Sequence, residues 1–530
     1  MQITASMRFA ALAMISTFLC GAQSPPQGMP ASTAARILEQ ATWGPTAATI
    51  ADLQSKGFDA WFAAQVAAPI TTYPNQPMLN SSGTGFTNLS GVQVQFFENA
   101  LYNPDQLRQR VAFALSEIWV VSHEGVVSYA AAFPPLLNIF QNDAFGTYSQ
   151  LMKDVTLNPA MGEYLNMVNN HKSTSTSSAN ENYGRELMQL FTLGLNVLEP
   201  NGNPVLDANN NPIPTYSPKT VTEMSAALTG WTYAPTPTGG VSPNLFSPMV
   251  AQQSQHDVSA KMIPFTYPNG TTVNVSLPAN QTAEQDLEGA LAGIYANPTL
   301  APFVVKQLIQ HLVTSNPSPA YIQDVVGVFN TTGGNLQKVV YEILTYSEAR
   351  NGDSGVANEA GNFGHLREPV LLVENLLRAL NGTVFDSSTI YNYTSNLGQS
   401  LFNEPSVFSY FSPQYTVATG PTTAALAPEF QLHTTQTAVS RANYIYSAIY
   451  NGQLDGSTMF SIANFVTAAS TSNAALETLI SNTFFHGLMS SSLTTAINTA
   501  LSDPKTNTAT LKAQAALYVA LTSSEFQIIH

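Results

Sequence analysis

In three stretches of this 530-residue chain, among others, an Asn or Ser stands directly before a Pro, and an apolar stripe at helical spacing follows. The pairs are Asn103-Pro104 in "NPDQLRQRVAFALSEIWVVS", Asn158-Pro159 in "NPAMGEYLNMV" and Ser217-Pro218 in "SPKTVTEMSAALTGW". A short polar side chain accepts from an unpaired backbone N–H at a helix start, and Pro at the first helical position has no N–H to leave unmet. In the first stretch Leu107, Val111, Ala114, Leu115, Ile118 and Val121 mark one buried helix face. "STAARILEQATWG" predicts a further helix between a Ser32 cap and a Gly44 stop. "NPTLAPFVVKQLIQHLV", "EPVLLVENLLRAL" and most of Pro428 to Ile529 also read as helix. A chain built this way is mainly α.

Strand signals are fewer. "KMIPFTYPNGTTVNVSL" (Lys261 to Leu277) predicts a hairpin turning at Pro268-Asn269-Gly270. Leu195 to Ser217 predicts a second hairpin or a long ordered loop. Pro235 to Asn280 is rich in Pro, Thr, Ser and Asn, and is expected to leave the helical body as an excursion. Helical patterning resumes on both sides, without a linker or a fixed-period repeat. The expected architecture is one large multi-helix domain over residues 32–530, with a small β-hairpin and loop excursion at about 235–280.

Only 10% of the residues are charged, and 33 acids against 18 Lys and Arg give a net charge of −15. Nucleic-acid binding needs clustered cations that displace counterions, and no such cluster exists; an anionic membrane surface is disfavoured on the same ground. The first residues set the expected compartment. Arg8 precedes the mostly apolar run Phe9 to Leu19, and Cys20 and Ala22 put small residues ahead of a cut before Gln23. This is the pattern of a signal peptide over residues 1–22, followed by a Pro-rich leader at 23–31, and the expected location is periplasmic or extracellular. Cys20 is the only cysteine. A lipoprotein would keep it as an acylated N-terminus, but Leu19 stands where such sites take a small residue, so cleavage after Ala22 is preferred. The mature chain then has no disulfide, thiolate metal site or Cys nucleophile. No later apolar run reaches the ~18 residues of a membrane span.

Against this dilute background, "NENYGRELMQLFTLG" (Asn180 to Gly194) concentrates Glu181, Arg185 and Glu186. On a helix Glu181 and Arg185 are four apart with the acid first, the favourable order. Asn182, Glu186 and Gln189 share a neighbouring face, and Leu187, Leu190 and Phe191 form an apolar one. Asn180 is the expected N-cap and Gly194 the expected stop. The charges are either a solvated face or a polar network buried among helices. His256 and Asp257 lie in the excursion near Lys261; such a pair can handle protons or help bind a metal. Adjacent side chains do not chelate an ion unaided, so a divalent metal at His256/Asp257 needs ligands from elsewhere, and no cofactor is predicted. Arg108 and Arg110, on a largely apolar helix, are expected to clamp an anion or to pair with acids such as Glu163, Glu181 and Glu186. Trp43, Trp119 and Trp231 read first as core. No HExxH, GxSxG, P-loop or GxGxxG is present, which removes the usual support for a serine hydrolase or nucleotide enzyme.

Taken in order, nine stretches carry a family resemblance: "AARILEQATWGPT", "LRQRVAFALSEIWVVS", "NPAMGEYLNMVNN", "NENYGRELMQLFTLG", "VTEMSAALTGW", "HDVSAK", "FVVKQLIQHLV", "REPVLLVENLLRAL" and "GQSLFNEPSVFSYFSP". In these the chain resembles the bacterial domain-of-unknown-function family 1800. The resemblance implies a large, mainly helical exported protein without an established activity. It also implies a partner from the neighbouring exported family 1501. Many relatives read "WHNHF" where this chain has Leu115 to Trp119, and "HTLG" where it has Phe191 to Gly194. A His common before the Pro of "NPTLAPF" is Asn297 here, and the Gly of the His-Asp motif is Ser259. Of such a His-rich set this chain keeps His256 and Asp257, and the Asn180 to Glu186 charges are then expected to form a buried polar network joining helices, with an active site built on it as the second choice.

The expected function is a non-catalytic envelope or extracellular protein acting by assembly or binding. One alternative is an extracytoplasmic hydrolase. Glu181 or Glu186 would then be acid/base and His256-Asp257 a proton-handling pair, with Arg108, Asn182, Arg185, Trp231 and Lys261 as binding residues. The other alternative is a metal- or redox-cofactor protein.

Overall fold

Helix caps set most of the architecture. In a computed structural model, which describes residues 28–124, 127–351, 353, 363–385 and 388–530, Asn158 and Ser217 cap helices Pro159–Tyr164 and Pro218–Ala227, each with Pro first. The expected signal peptide, 1–22, and the start of the leader lie outside the described residues. Ser217 and Thr220 cap reciprocally, as do Thr46 with Thr49, Thr282 with Gln285 and Thr434 with Thr437. Among the described residues there are twenty-two α-helices and five two-stranded antiparallel sheets, so the fold is mainly α. No helix among them is long and apolar enough to cross a membrane.

The Asn103-Pro104 pair behaves differently. The helix begins at Gln106, two residues after Pro104, and spans Gln106–Ile118. Asn103 closes the preceding helix, Ser90–Tyr102, and its amide bonds Asn99 at 3.1 Å. Asp105 holds the cap position but turns its carboxylate to the backbone N–H and hydroxyl of Thr71, at 2.7 and 2.5 Å. A buried carboxylate gains more from these two donors and from Gln109, at 2.8 Å, than from an end-of-helix amide. Likewise Ser32 lies inside helix Ala31–Ala41, and its hydroxyl donates to the carbonyl of Asp353.

The hairpin forms as expected. Strands Lys261–Thr266 and Thr272–Leu277 pair with Lys261 opposite Leu277 and Thr266 opposite Thr272. Leu195 to Ser217 is the long ordered loop, tied by single bridges Asn196–Pro214, Leu198–Pro204 and Leu206–Pro212.

One connected apolar cluster runs from Ala34 to Ile529. The Gln106–Ile118 helix crosses its middle, with Leu107, Val111, Ala114 and Leu115 fully buried. Trp43, Trp119 and Trp231 are all core, and Trp119 stacks on Phe191 at 4.7 Å. Phe191 belongs to a π-helical turn, Leu187–Thr192, that continues the short helix Asn182–Glu186. Gly194 ends this run at φ +74°, and a Cβ there would meet the Phe303 ring at 2.8 Å. Only Gly allows that approach. The result is a close seam between the π-turn and helix Leu300–Leu312, with a pocket at its mouth.

Candidate functional site

The residues singled out in the sequence gather at three places. Glu181 and Arg185 form an exposed 2.8 Å ion pair, and Thr222 donates to the other Glu181 oxygen at 3.1 Å. Asn182 donates to Asn166 at 3.1 Å. Glu186 is half-buried, its carboxyl pushed up by burial, with one oxygen lacking a hydrogen-bond partner among the described residues. The Asn180 to Glu186 charges therefore sit largely at the surface and do not form one buried network.

The second place is the base of the hairpin. His256 is fully buried; its Nδ1 lies 2.8 Å from the carbonyl of Thr229 and its Nε2 3.1 Å from Asp286. Lys261 reaches the same Asp286 oxygen at 2.7 Å and the carbonyls of Asp257 and Ser259. Asp257 turns outward and takes the N–H and hydroxyl of Ser259 at 2.8 and 2.6 Å. Gly230, at φ +83°, lets the His256 backbone press on the end of helix Pro218–Ala227; a Cβ there would lie 2.9 Å from it. Trp231 packs beside this turn, in the strand paired with Val250–Ala251. These charges clasp the hairpin to the helices.

Arg108 is the third place, apart from both. Its guanidinium donates to the carbonyls of Gln141 and Val66 at 3.0 and 3.2 Å and lies 4.5 Å over the Phe145 ring. It clamps no anion among the described residues. Its neighbour Arg110 is buried, but its acids are Glu368, Glu117 and Glu429 and not Glu163, Glu181 or Glu186.

Those three acids mark a constellation absent from the sequence-based candidates. Glu117 ends the Gln106–Ile118 helix, His311 ends the Leu300–Leu312 helix, and Glu368 immediately precedes helix Pro369–Ala379. One ligand atom from each lies within 4.8 Å of the other two. Glu117 Oε2 is 3.2 Å from His311 Nδ1. Gln399 donates one amide nitrogen to both carboxylates, at 3.0 Å to Glu117 and 2.7 Å to Glu368. Its carbonyl takes the N–H of Val370 at 2.9 Å, which fixes the amide's orientation. Arg110 donates to the backbone carbonyl of His311, while its Nε and Nη1 have no hydrogen-bond partner among the described residues. Glu429 lies behind, 3.1 Å from His365 and 3.3 Å from Ser315.

The electrostatics follow from burial. Burial pushes Glu117 up to about 7, against Arg110 and hydrogen bonds that favour its charge. Burial and the Glu117 charge push Glu368 up to about 8. Burial also lowers His311, holding its imidazole neutral with a lone pair to offer. Glu368 Oε1 lacks a hydrogen-bond partner among the described residues, and Glu117 Oε2 and His311 Nδ1 have only their 3.2 Å contact with each other. Leaving one such buried atom unmet costs about 1–3 kcal/mol, more for a charged group. Three in one spot, one nitrogen and two oxygens, are a donor set that a divalent cation satisfies at once.

Glu117 and His311 form the floor of an open pocket of about 360 Å³. Its walls come from the π-turn (Gln189, Leu190), the ordered loop (Leu195 to Pro204), the Leu300–Leu312 helix and the 407–414 segment. None of Glu181, Asn182, Arg185, Glu186, Trp231, His256, Asp257, Lys261 or Arg108 lines it.

A family model described as "Protein of unknown function (DUF1800)" matches residues 36–528. The chain belongs to this family. The DUF1800 region takes in Glu117 and His311 of the floor and Arg110, Glu368, Gln399 and Glu429 beside it, so the whole constellation lies inside the region. No curated protein and no solved structure matches the chain. Glu117 of this floor lies within the stretch Leu115 to Trp119. The signal that would have found these groups is a single acid or His inside an apolar run, as in "FALSEIWVV" and "LIQHLV". A charge buried there demands a partner.

Proposed function

We propose that the protein is an exported, metal-dependent hydrolase whose reaction centre is the floor of the 360 Å³ pocket. One observation carries the reading. Glu117, His311 and Glu368 each bring a buried ligand atom within 4.8 Å of the other two, and Glu117 and His311 open onto the cavity. Three protein ligands with an open side is the pattern of a catalytic metal site, where structural sites are closed by four. A divalent cation there would polarise a substrate carbonyl and supply hydroxide near neutral pH. The protein's own groups do the rest. Gln399 fixes both carboxylates, and Arg110 offsets part of their charge. Export rests on Arg8 and the apolar run Phe9 to Leu19.

The test uses the purified mature chain, stripped with chelator and titrated with Zn²⁺ or Mn²⁺. Stoichiometric binding is expected, with a stabilisation of about 2.7 kcal/mol at a hundredfold excess over Kd. Glu117→Gln and His311→Ala should abolish it, and ester or amide hydrolysis should vanish on stripping and return with metal. Absence of binding, or binding indifferent to both substitutions, overturns the reading.

A second reading has its own support. Glu117 and Glu368 share Gln399, and both are pushed up into the neutral range. Such a pair can hold a proton between them and perform acid–base hydrolysis without a cation. Hydrolysis retained after stripping selects it. Metal and ligand binding without turnover would select the binding role expected from the sequence.

A further inference from the structure

The pocket wall carries one positive charge that nothing balances. Lys306 lines the cavity from the Leu300–Leu312 helix and is half-buried there. Among the described residues it has neither an ion pair nor a hydrogen bond, and burial lowers its pKa. This is unusual in a chain where acids outnumber Lys and Arg 33 to 18. Three other cations near the core have acid partners: Arg36 has Asp353, Arg367 has Glu39 and Lys261 has Asp286. A half-buried ammonium that spends its charge on no protein group is costly unless a ligand meets it.

The surroundings give the shape of that ligand. Lys306 is five residues before His311 on one helix, which puts it about 7.5 Å up the axis from the floor at ~1.5 Å per residue. Phe303 stands one turn further out, and Leu195 and Phe408 at the pocket edge are exposed, at 58% and 48%. Large apolar side chains left open at a pocket edge mark a surface meant to be covered by ligand. Read outward, the cavity presents an acidic and imidazole floor, a lone ammonium, and an apolar lip.

We infer that the pocket takes an anionic amphiphile: a carboxylate or phosphate held by Lys306 and an apolar chain lying on Leu195 and Phe408. This rests on the pocket being the site assigned above, and it adds the substrate class. Lysine acts as a point charge and not as a fork, so it selects for negative charge without selecting geometry.

The test is a calorimetric titration of the metal-loaded mature protein with decanoate, decyl phosphate and decanol. Either anion should bind at least about tenfold more tightly than decanol, since a hydrogen bond to a charged group contributes that much. The stronger of the two names the headgroup. Lys306→Met should erase the preference while leaving decanol binding and Zn²⁺ binding unchanged. Equal affinity for decanol and both anions in the wild-type protein overturns the inference, and so does a preference that survives Lys306→Met. Because Zn²⁺ is read separately, loss of metal binding in the wild-type protein would count against the hydrolase reading alone.

Discussion

The charges at His256 and those at Glu117 are both buried, yet the two clusters are built in opposite ways. At the hairpin base Asp286 meets Lys261 and His256 on one oxygen, and Lys261 fills its remaining valences with the carbonyls of Asp257 and Ser259. Cation and anion balance there, and of the atoms of Asp286, His256 and Lys261 Asp286 Oδ1 alone lacks a hydrogen-bond partner among the described residues. Beside the pocket Glu117, Glu368 and Glu429 face Arg110 as the adjoining cation, Glu117 Oε2 and His311 Nδ1 have only each other, Glu368 Oε1 is unmet, and the cavity opens onto Glu117 and His311. A network whose charges are paired is fastening. One with acids in excess beside a pocket is a demand for a ligand. Burial alone does not separate the two; the balance of charge does.

The comparison breaks first at Asp286. Asp286→Ala strands the Lys261 charge and removes the His256 partner, so it should destabilise the protein by about 3–5 kcal/mol in urea unfolding. Zn²⁺ affinity of the folded fraction should not change. A loss of metal binding at equal folding would mean that the two clusters are not independent.

Acid titration sharpens the contrast through another closed network. Burial pushes Glu39 up, but Arg367 and His486 outweigh it and hold the carboxyl at about 2, below its ordinary 4.5. A depressed carboxyl contributes its stability above 4.5 and loses it as pH falls toward about 2. Stability should therefore drop by roughly 3 kcal/mol across that window. Glu39→Gln should flatten this part of the profile, measured by thermal unfolding against pH.

At the open cluster the expected loss is in ligand and not in fold. Gln399→Leu removes the amide that orients both Glu117 and Glu368, and should weaken Zn²⁺ binding by about 10–100-fold. An unchanged Kd would show that the carboxylates need no such support. The smallest effect belongs to the sequence's most conspicuous charges: Arg185→Ala breaks an exposed pair and should cost no more than about 0.5 kcal/mol, with metal and amphiphile binding untouched.

The order of these effects shows what could be read from the chain alone. Local devices were legible. Ser217-Pro218, Asn158-Pro159 and the Lys261–Leu277 hairpin form where cap and turn chemistry place them. Asn103-Pro104 misled because Asp105 has a stronger claim on Thr71 than on a helix end, and Thr71 is distant in sequence. The Glu181–Arg185 pair is also local, so it stood out, and it is exposed for the same reason: neighbours on one helix satisfy each other without help from the fold. The pocket floor is the reverse case. Gln399 and Glu117 are 282 residues apart. No spacing rule links them: Glu117 arrives inside a helix whose pattern announces only packing, and Gln399 lies in irregular chain just past helix Ile390–Asn396. Family membership and the mainly helical fold followed from motif order, while the chemistry needed the coordinates.

The π-turn at Leu187–Thr192 gives this pocket an unusual freedom. It holds one residue more than an α-turn, with the Thr192 hydroxyl closing on the Leu187 carbonyl at 2.6 Å. Gln189 and Leu190 in that turn face the cavity, while Leu187 and Phe191 remain in the core. Deleting one residue would let the turn relax to α winding and swing what precedes it by about 100°. A single codon lost or gained would thus redraw one wall of the cavity while sparing the acids and imidazole of its floor, so that selection can retune what enters without touching what waits inside.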